Sequence, residues 1–394
     1  MKILHTADWH LGQTFYEYDR KAEHLVFLSW LKNVIKEQAI DLLLIAGDVF
    51  DGPNPSADSQ RIYYRFLQEI TAENPDLQLI IIAGNHDSAA RLEAPNPLLG
   101  AMNITVKGLV QRDATGALAL DSLLVPLNKG GYCLAVPYLR QGDYPPSSTY
   151  AEGVKAMYEA LFDQVRGKEG PFIALGHLQA TGSEISENDR SERTVIGGLE
   201  SVSPDAFSPE IAYTALGHLH RAQRVSGREN VRYSGAPLPM SFAEKNNKQG
   251  VTLVELSDTT HIERLPFTPP VALLSIPKVA LPLTDVLAAI AELPDGELTT
   301  HSPYLEIKVL VTEPEPSLRF QVEEALQHKS VRLARIAAER PAHEVVEKTM
   351  SYEELQQIHP MEMAVDIFKR NYGGEDMPLA LKELFQKVVQ EVKR

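Results

Sequence analysis

Gly84-Asn85-His86-Asp87, standing directly after the apolar run Leu79–Ala83, decides how the first two-thirds of this chain are read. A short apolar run without alternation suits a strand buried on both faces. Here it ends at a glycine, which lets the backbone turn sharply and come close to a ligand. The same arrangement recurs along the chain. Ile3–Thr6 leads into Asp8-Trp9-His10, and Leu42–Ala46 into Gly47-Asp48-Val49-Phe50-Asp51. Phe172–Leu175 leads into Gly176-His177, and Ala212–Leu216 into Gly217-His218-Leu219-His220.

Helical patterns lie between these runs. Lys21–Gln38 places Leu25, Leu28, Leu31 and Ile35 on one side, and Asp58–Thr71 does the same with Ile62, Phe66 and Ile70. The alternation predicts a layered α/β domain. Ligands of open α/β sheets bind beyond the carboxyl ends of the strands, so Asp, His and Asn side chains are expected to gather at one edge. Imidazole and carboxylate together suit Mn, Fe or Zn, whereas Mg prefers oxygen alone. Two such ions about 3.5–4 Å apart clamp the attacking and leaving oxygens of a phosphoryl transfer, with one carboxylate shared. Each cluster alone is ordinary: Asp-x-His and Gly-Asp-x-x-Asp are explained by turn chemistry. The specificity lies in the ordered set.

That set, D-x-H, G-D-x-x-D, G-N-H-D, G-H and G-H-x-H, resembles the calcineurin-like metallophosphoesterases. The opening Asp8-Trp9-His10-Leu11-Gly12, the run Ala46–Asp51 and the helical extensions narrow the resemblance to bacterial nuclease subunits that partner an SMC-like ATPase. The likeness covers nearly the whole chain, though after Pro270 it lies mainly in layout. It implies a four-layer αββα sandwich with a small capping domain, and a pair of metal ions, manganese by preference. One ion would be held by Asp8, His10, Asp48 and His220, the other by Asp48, Asn85, His177 and His218, with Asp48 bridging. His86 would face the scissile phosphate, and Asp51 would orient His86 by a hydrogen bond. The resemblance further implies exonuclease action on double-stranded ends and endonuclease action on hairpins or single strands, in recombination, replication and repair. It also implies a homodimer formed through helices of the first domain. No ligand position departs from the pattern.

The remaining sequence bounds these expectations. With 394 residues, two or three domains are expected. Leu265-Pro266-Phe267-Thr268-Pro269-Pro270 reads as a linker between a metallophosphoesterase domain (1–265) and a βαβαβ capping domain (271–340). In the latter, strands Leu273–Ile276, Tyr304–Val311 and Val331–Ala337 alternate with helices Thr284–Leu293 and Ser317–His328. The segment 345–394 reads as helices Ser351–Tyr372 and Leu379–Val392, opened by a Ser351/Glu354 capping box. Their apolar stripes, Met363, Ile367 and Phe368, then Leu381, Leu384, Phe385 and Val388, suit docking on the ATPase. The single cysteine, Cys133, rules out an intrachain disulfide. With no apolar run of about 18 residues and no signal-peptide pattern, a cytoplasmic protein without a membrane span is expected.

The net charge of −15 is awkward for a protein that binds a polyanion. It calls for local basic patches, metal ions or a basic partner; Arg61, Arg65 and Arg91 are candidates, and Glu184–Arg193 could border a groove. His5 reads as a satisfied core histidine, and His24, His261, His301, His328, His343 and His359 as surface residues. Trp9 reads as core packing, and Tyr233–Pro237 either as a turn or as a neighbour of the site. Two rival functions share the metal core: a small-molecule phosphodiesterase or phosphatase, and a non-enzymatic scaffold with a relic site.

Overall fold

The computed structural model describes residues 1–183, 201–313, 315–340, 360–371, 376–379, 381–382 and 384–386. The chain divides into two compact units, Met1–Glu339 and Arg340–Arg394. The proline-rich stretch at 266–270 lies inside the first unit.

Two six-stranded sheets form the centre of the first unit. The first runs Thr260–Pro266, Gly250–Leu256, Lys2–Thr6, Leu42–Ala46, Gln78–Ile82 and Ile104–Lys107. The second runs Gln223–Val225, Arg228–Tyr233, Ile211–Gly217, Phe172–His177, Tyr132–Ala135 and Leu124–Pro126. The apolar runs are continuous because both faces of each strand are covered. Along Leu42–Ala46, Leu42 and Leu44 enter a layer between the sheets with Ile80, Ile173, Leu175 and Ala215. Leu43 and Ile45 face the other way, onto the helices Lys21–Glu37 and Ala57–Glu73, with Phe27, Leu31, Phe66 and Ile70. The second sheet is backed by Tyr150–Val165 through Val154, Met157, Leu161 and Phe162. The mixed α/β architecture is as expected, with helices packed on the outer face of each of these two sheets. Ser56 caps one helix and Thr149 another, each accepting a backbone N–H of its first turn.

Two expectations for the first helix need correction. Leu25 is 46% exposed; the buried stripe is instead His24, Phe27, Leu28, Leu31, Val34 and Ile35. His24 is not a surface residue. It is buried, burial pushes its pKa down to about 3, and its ring Nε2–H donates to the Trp9 carbonyl at 3.0 Å.

The small sheet is parallel, ordered Leu273–Leu281, Tyr304–Leu310 and Arg332–Glu339, with helices Leu283–Ala291 and Leu318–Ala325 as the crossovers. It meets the rest of its unit at a polar knot. Arg20 is fully buried and donates to both oxygens of Glu23 at 3.1 and 2.9 Å, to Gln13 Oε1 and to the Pro239 carbonyl. Tyr304 of the middle strand donates its hydroxyl to the same Glu23 at 2.8 Å. Around the knot, Phe15, Phe242, Val271 and Tyr304 form an apolar cluster.

In the second unit, the helix Pro360–Asn371 carries Met363, Ile367 and Phe368; Ile367 is exposed. Residues 379–386 are helical where described, with Leu379, Leu381 and Leu384 exposed. The expected capping box Ser351/Glu354, Val388, His343, His359 and Glu184–Arg193 lie outside the described residues. Among the described residues, no helix is long and apolar enough to cross a membrane.

Removing Arg20 leaves Glu23 as an uncompensated buried charge. Arg20→Ala is therefore expected to cost about 3–5 kcal/mol, read as a fall in the urea midpoint at unchanged slope. A loss under about 1 kcal/mol would show that water reaches the pair.

Candidate metal centre

The carboxyl ends of both sheets open on one edge. From the first sheet, the loops after Lys2–Thr6, Leu42–Ala46 and Gln78–Ile82 carry Asp8, His10, Asp48, Asp51, Asn85 and His86. From the second, the strands Phe172–His177 and Ile211–Gly217 deliver His177, His218 and His220. The first two loops stay hydrogen-bonded past the strands: Asp8 N–H donates to Gly47 O, His10 N–H to Asp48 O and Leu11 N–H to Val49 O, at 2.9–3.0 Å.

The backbone bends hard here. Asp8 (φ 55°), His10 (φ 46°), Asp48 (φ 49°) and His218 (φ 100°) all sit in the left-handed region, which side chains other than glycine seldom occupy. Such conformations cost about 1–3 kcal/mol each and persist where surrounding structure imposes them. Close approach is imposed at Gly84 too, where an added Cβ would stand 2.1 Å from Asp48 Oδ1.

Each central aspartate divides its two oxygens between different tasks. Asp48 Oδ1 accepts the His86 N–H at 2.8 Å. Its Oδ2 lies 3.3 Å from His177 Nε2 and 3.7 Å from His10 Nε2. Asp8 Oδ1 accepts the His218 N–H at 3.0 Å, and its buried Oδ2 has no hydrogen-bond partner. Neither has buried His10 Nε2. A buried oxygen and a buried nitrogen that both lack a hydrogen-bond partner, on residues whose donor atoms lie within 4.8 Å of each other, suit a cation.

Two groups flank Asp48. Asp8, His10 and His220 bring their donor atoms within 4.8 Å of one another. Asp8, Asp48 and His177 do the same. Asn85 Oδ1 lies 2.9 Å from His177 Nε2 and 3.0 Å from His218 Nδ1. All seven residues expected to hold metal thus converge. His86 also has a ring nitrogen within 4.8 Å of donor atoms of His10 and Asp48, but it is only half-buried and its Nδ1–H donates to the Asp51 carbonyl at 2.9 Å. The hydrogen bond expected between Asp51 and His86 therefore runs to the backbone. The Asp51 carboxylate faces His10 Nδ1 instead, at 3.3 Å.

Electrostatics divides the histidines. Burial opposes charge on His177, but Asp48 alongside overrides it and lifts its pKa to about 9. In return, despite its burial, Asp48 is held far below the usual carboxylate range by His177. Burial, with charged His177 nearby, lowers His218 to about 3. Burial raises Asp8.

Several residues missed in the sequence support the edge. Asp87, the last residue of the Gly84–Asp87 motif, is buried and accepts the N–H groups of Val49, Phe50 and Gly84 at 2.9–3.1 Å. It sews the second loop to the third, and burial together with the Asp48 charge lifts its pKa to about 6. Glu244 accepts from His220 Nδ1 at 2.9 Å and from Met240 N–H at 2.9 Å. His24 holds the Trp9 carbonyl, between the two ligands Asp8 and His10. Its register with Leu28, Leu31 and Ile35 was the available signal. Tyr233 braces the loop after His177, donating to Leu178 O and accepting Ala180 N–H, and Ala236 N–H donates to His220 O, so the 233–237 stretch does border the site. Trp9 packs in the core between Phe27 and Phe66, and His5 is satisfied at one nitrogen by the Tyr213 hydroxyl.

Residues 1–222 match the model of the calcineurin-like phosphoesterases, over half of the chain, and 269–372 match the type 5 capsule protein repressor C-terminal domain. The chain is similar to the SbcD subunit of nuclease SbcCD from Rhodobacter capsulatus, at 38% identity over 86% of this chain and 88% of that one. The chain belongs to the SbcD family of calcineurin-like phosphoesterases. It is 30% identical to the SbcD subunit from Escherichia coli K12 over 98% of this chain and 96% of that one. With the SbcD subunit from Bacillus subtilis the identity is 31% over 65% of this chain and 66% of that one. As a member of this family the chain is a metal-dependent phosphodiester hydrolase, and a relic scaffold is set aside.

Two outcomes follow for metal binding. Gly84→Ala should push Asp48 aside and weaken binding of divalent metal at least about tenfold in a calorimetric titration; unchanged binding would show that the loop yields freely. Secondly, His177 holds a proton below about pH 9 in the metal-free protein, and metal requires the neutral imidazole. Metal uptake at pH 7–8 should therefore release protons to an indicator dye, and affinity should rise towards pH 9. Uptake without proton release would contradict a charged His177.

Proposed function

We propose that this chain is the manganese-dependent nuclease subunit of an SbcCD-type complex, working with an SbcC-type SMC-like ATPase in the cytoplasm. Its substrates are DNA: double-stranded ends for exonuclease action, hairpins and single strands for endonuclease action, in recombination, replication and repair. The observation that carries the reading is the position of Asp48 Oδ2, between His177 Nε2 at 3.3 Å and His10 Nε2 at 3.7 Å. One carboxylate oxygen within reach of a histidine from each flank is what a shared ligand of two ions requires.

In this reading Asp8, His10, Asp48 and His220 hold one ion, and Asp48, Asn85, His177 and His218 the other. When bound, the pair supplies Lewis-acid activation of water and neutralises charge on the phosphodiester. The chain's own residues do the rest. Asp87 keeps the second and third loops in register, so that Asp48 and Asn85 face the same point. His86 is committed at Nδ1 to the Asp51 carbonyl, which leaves Nε2 to deliver a proton to the leaving oxygen. Asp51 thus positions His86 by its backbone and His10 by its carboxylate. Arg91 follows the His86 loop and hydrogen-bonds to Asn54, so it borders the edge on which a phosphate backbone would lie. Arg61 is paired with Asp58, and Arg65 lies on the same helix; both belong to the groove between the first two helices. The exposed apolar residues of 360–386 supply the surface for the ATPase, and a homodimer forms through helices of the first unit.

The rival reading, a small-molecule phosphodiesterase, uses the same site. The decisive comparison is a labelled DNA hairpin in Mn, Mg or Zn, with and without the ATPase. Manganese-dependent cleavage should fall about 10²–10⁴-fold in His86→Ala, while the bound metal stays at the wild-type level. Intact DNA alongside hydrolysis of bis-p-nitrophenyl phosphate would transfer the site to the rival. Loss of metal in His86→Ala would make His86 a ligand.

A further inference from the structure

His220 depends on a carboxylate that no motif announces. Its Nδ1–H donates to Glu244 Oε1 at 2.9 Å, so Nε2 is the nitrogen it turns towards Asp8 and His10. Both partners are buried, His220 to 5% exposure and Glu244 to 2%. The second oxygen of Glu244 accepts the Met240 N–H at 2.9 Å, which fixes the carboxylate on its own loop. That loop is anchored on the small sheet. Phe242 packs on Phe15 with ring centres 5.3 Å apart, and Phe15 packs on Tyr304 at 4.7 Å. Lys245 donates to Ser275 Oγ in the neighbouring strand. Arg20, bound to Glu23 and through it to Tyr304, donates to the Pro239 carbonyl at the start of the loop.

We infer that Glu244 is the positioning residue for His220 and that the small βαβαβ layer, through the 239–245 loop, sets the affinity of one of the two metal positions. The inference rests on His220 being a metal ligand, as read above. A carboxylate behind a ligating imidazole fixes its tautomer and orientation and raises its basicity; losing it typically weakens metal binding about 10–100-fold. The position that His220 serves should respond, while the other is held from elsewhere. His177 is fixed through its Nδ1 by the Ala46 carbonyl at 2.8 Å, and the His218 backbone by Asp8.

The test titrates manganese alone into the full-length, metal-free protein by calorimetry. Glu244→Gln keeps the shape but removes the charge. It should weaken one of the two positions about 10–100-fold, leave the other within about twofold, and leave the thermal midpoint of the metal-free protein within a few degrees. Glu244→Asp should recover part of the loss. Phe242→Leu, which leaves Glu244 in place but loosens its anchor, should weaken the same position by a smaller factor, and it decides the matter if Glu244→Gln does not fold. Wild-type affinities in Glu244→Gln, with one position lost in His220→Ala, would overturn the inference and leave the metal centre standing. Two intact positions in His220→Ala would overturn the ligand assignment itself, and this inference with it.

Discussion

The contact on which this structure depends is the one between the Asp48 carboxylate and the histidines on either side of it. A buried carboxylate is costly unless charge or hydrogen bonds compensate it. Asp48 has both: a backbone N–H from His86 on one oxygen, and His177 beside the other. In the metal-free protein the proton on His177 is the compensating charge. A divalent ion would take over that role with the proton displaced. The site is therefore built to contain positive charge near Asp48, and the identity of that charge is what changes on loading.

The fold serves this contact by bringing together residues that are far apart in the chain. Asp8 and His218 meet through a single hydrogen bond across 210 positions. Packing two sheets face to face aligns their carboxyl ends, so that Asp8, Asp48 and Asn85 come from one and His177, His218 and His220 from the other. The left-handed backbone at four of the candidate ligands is the local cost of that convergence. The continuous apolar layer between the sheets resists any relaxation of it, since close-packed interiors transmit strain instead of absorbing it.

What the sequence disclosed and what it withheld divide along physical lines. Strands buried on both faces leave an unbroken apolar run, and the residue that follows each run is obliged to lie at the sheet edge. Strand positions and the gathering of Asp, His and Asn side chains at one edge were readable for that reason, whereas the two-sheet layout was implied only by the family resemblance. The small parallel sheet was equally plain, because its strands and helices alternate at short intervals. Partners set by the third dimension were not readable. Glu244 sits in a short turn with no periodicity around it, and nothing near Arg20 announces that a tyrosine from residue 304 will share its carboxylate. His24 misleads because histidine alone suggests a surface, although its spacing along the helix argues otherwise. Asp51 was expected to hydrogen-bond to His86, and it does so through its backbone carbonyl, a partner that no side-chain pattern could reveal.

The acidity of the chain takes on a different meaning beside this geometry. A net charge of −15 opposes a phosphodiester at long range, but exposed charges farther apart than about 8 Å are largely screened at physiological ionic strength. What a phosphate meets on arrival is local: Asp8, Asp48 and Asp51 lie at one edge, answered without metal mainly by His177 beside Asp48. Without divalent ions such an edge would repel a phosphate. On the proposed reading, metal occupancy would govern phosphodiester binding as well as chemistry, since the strongest attraction for a phosphodiester would then lie where the reaction takes place. Any further hold on a long polyanion must come from small patches such as the one around Arg91, or from a partner that brings its own positive surface.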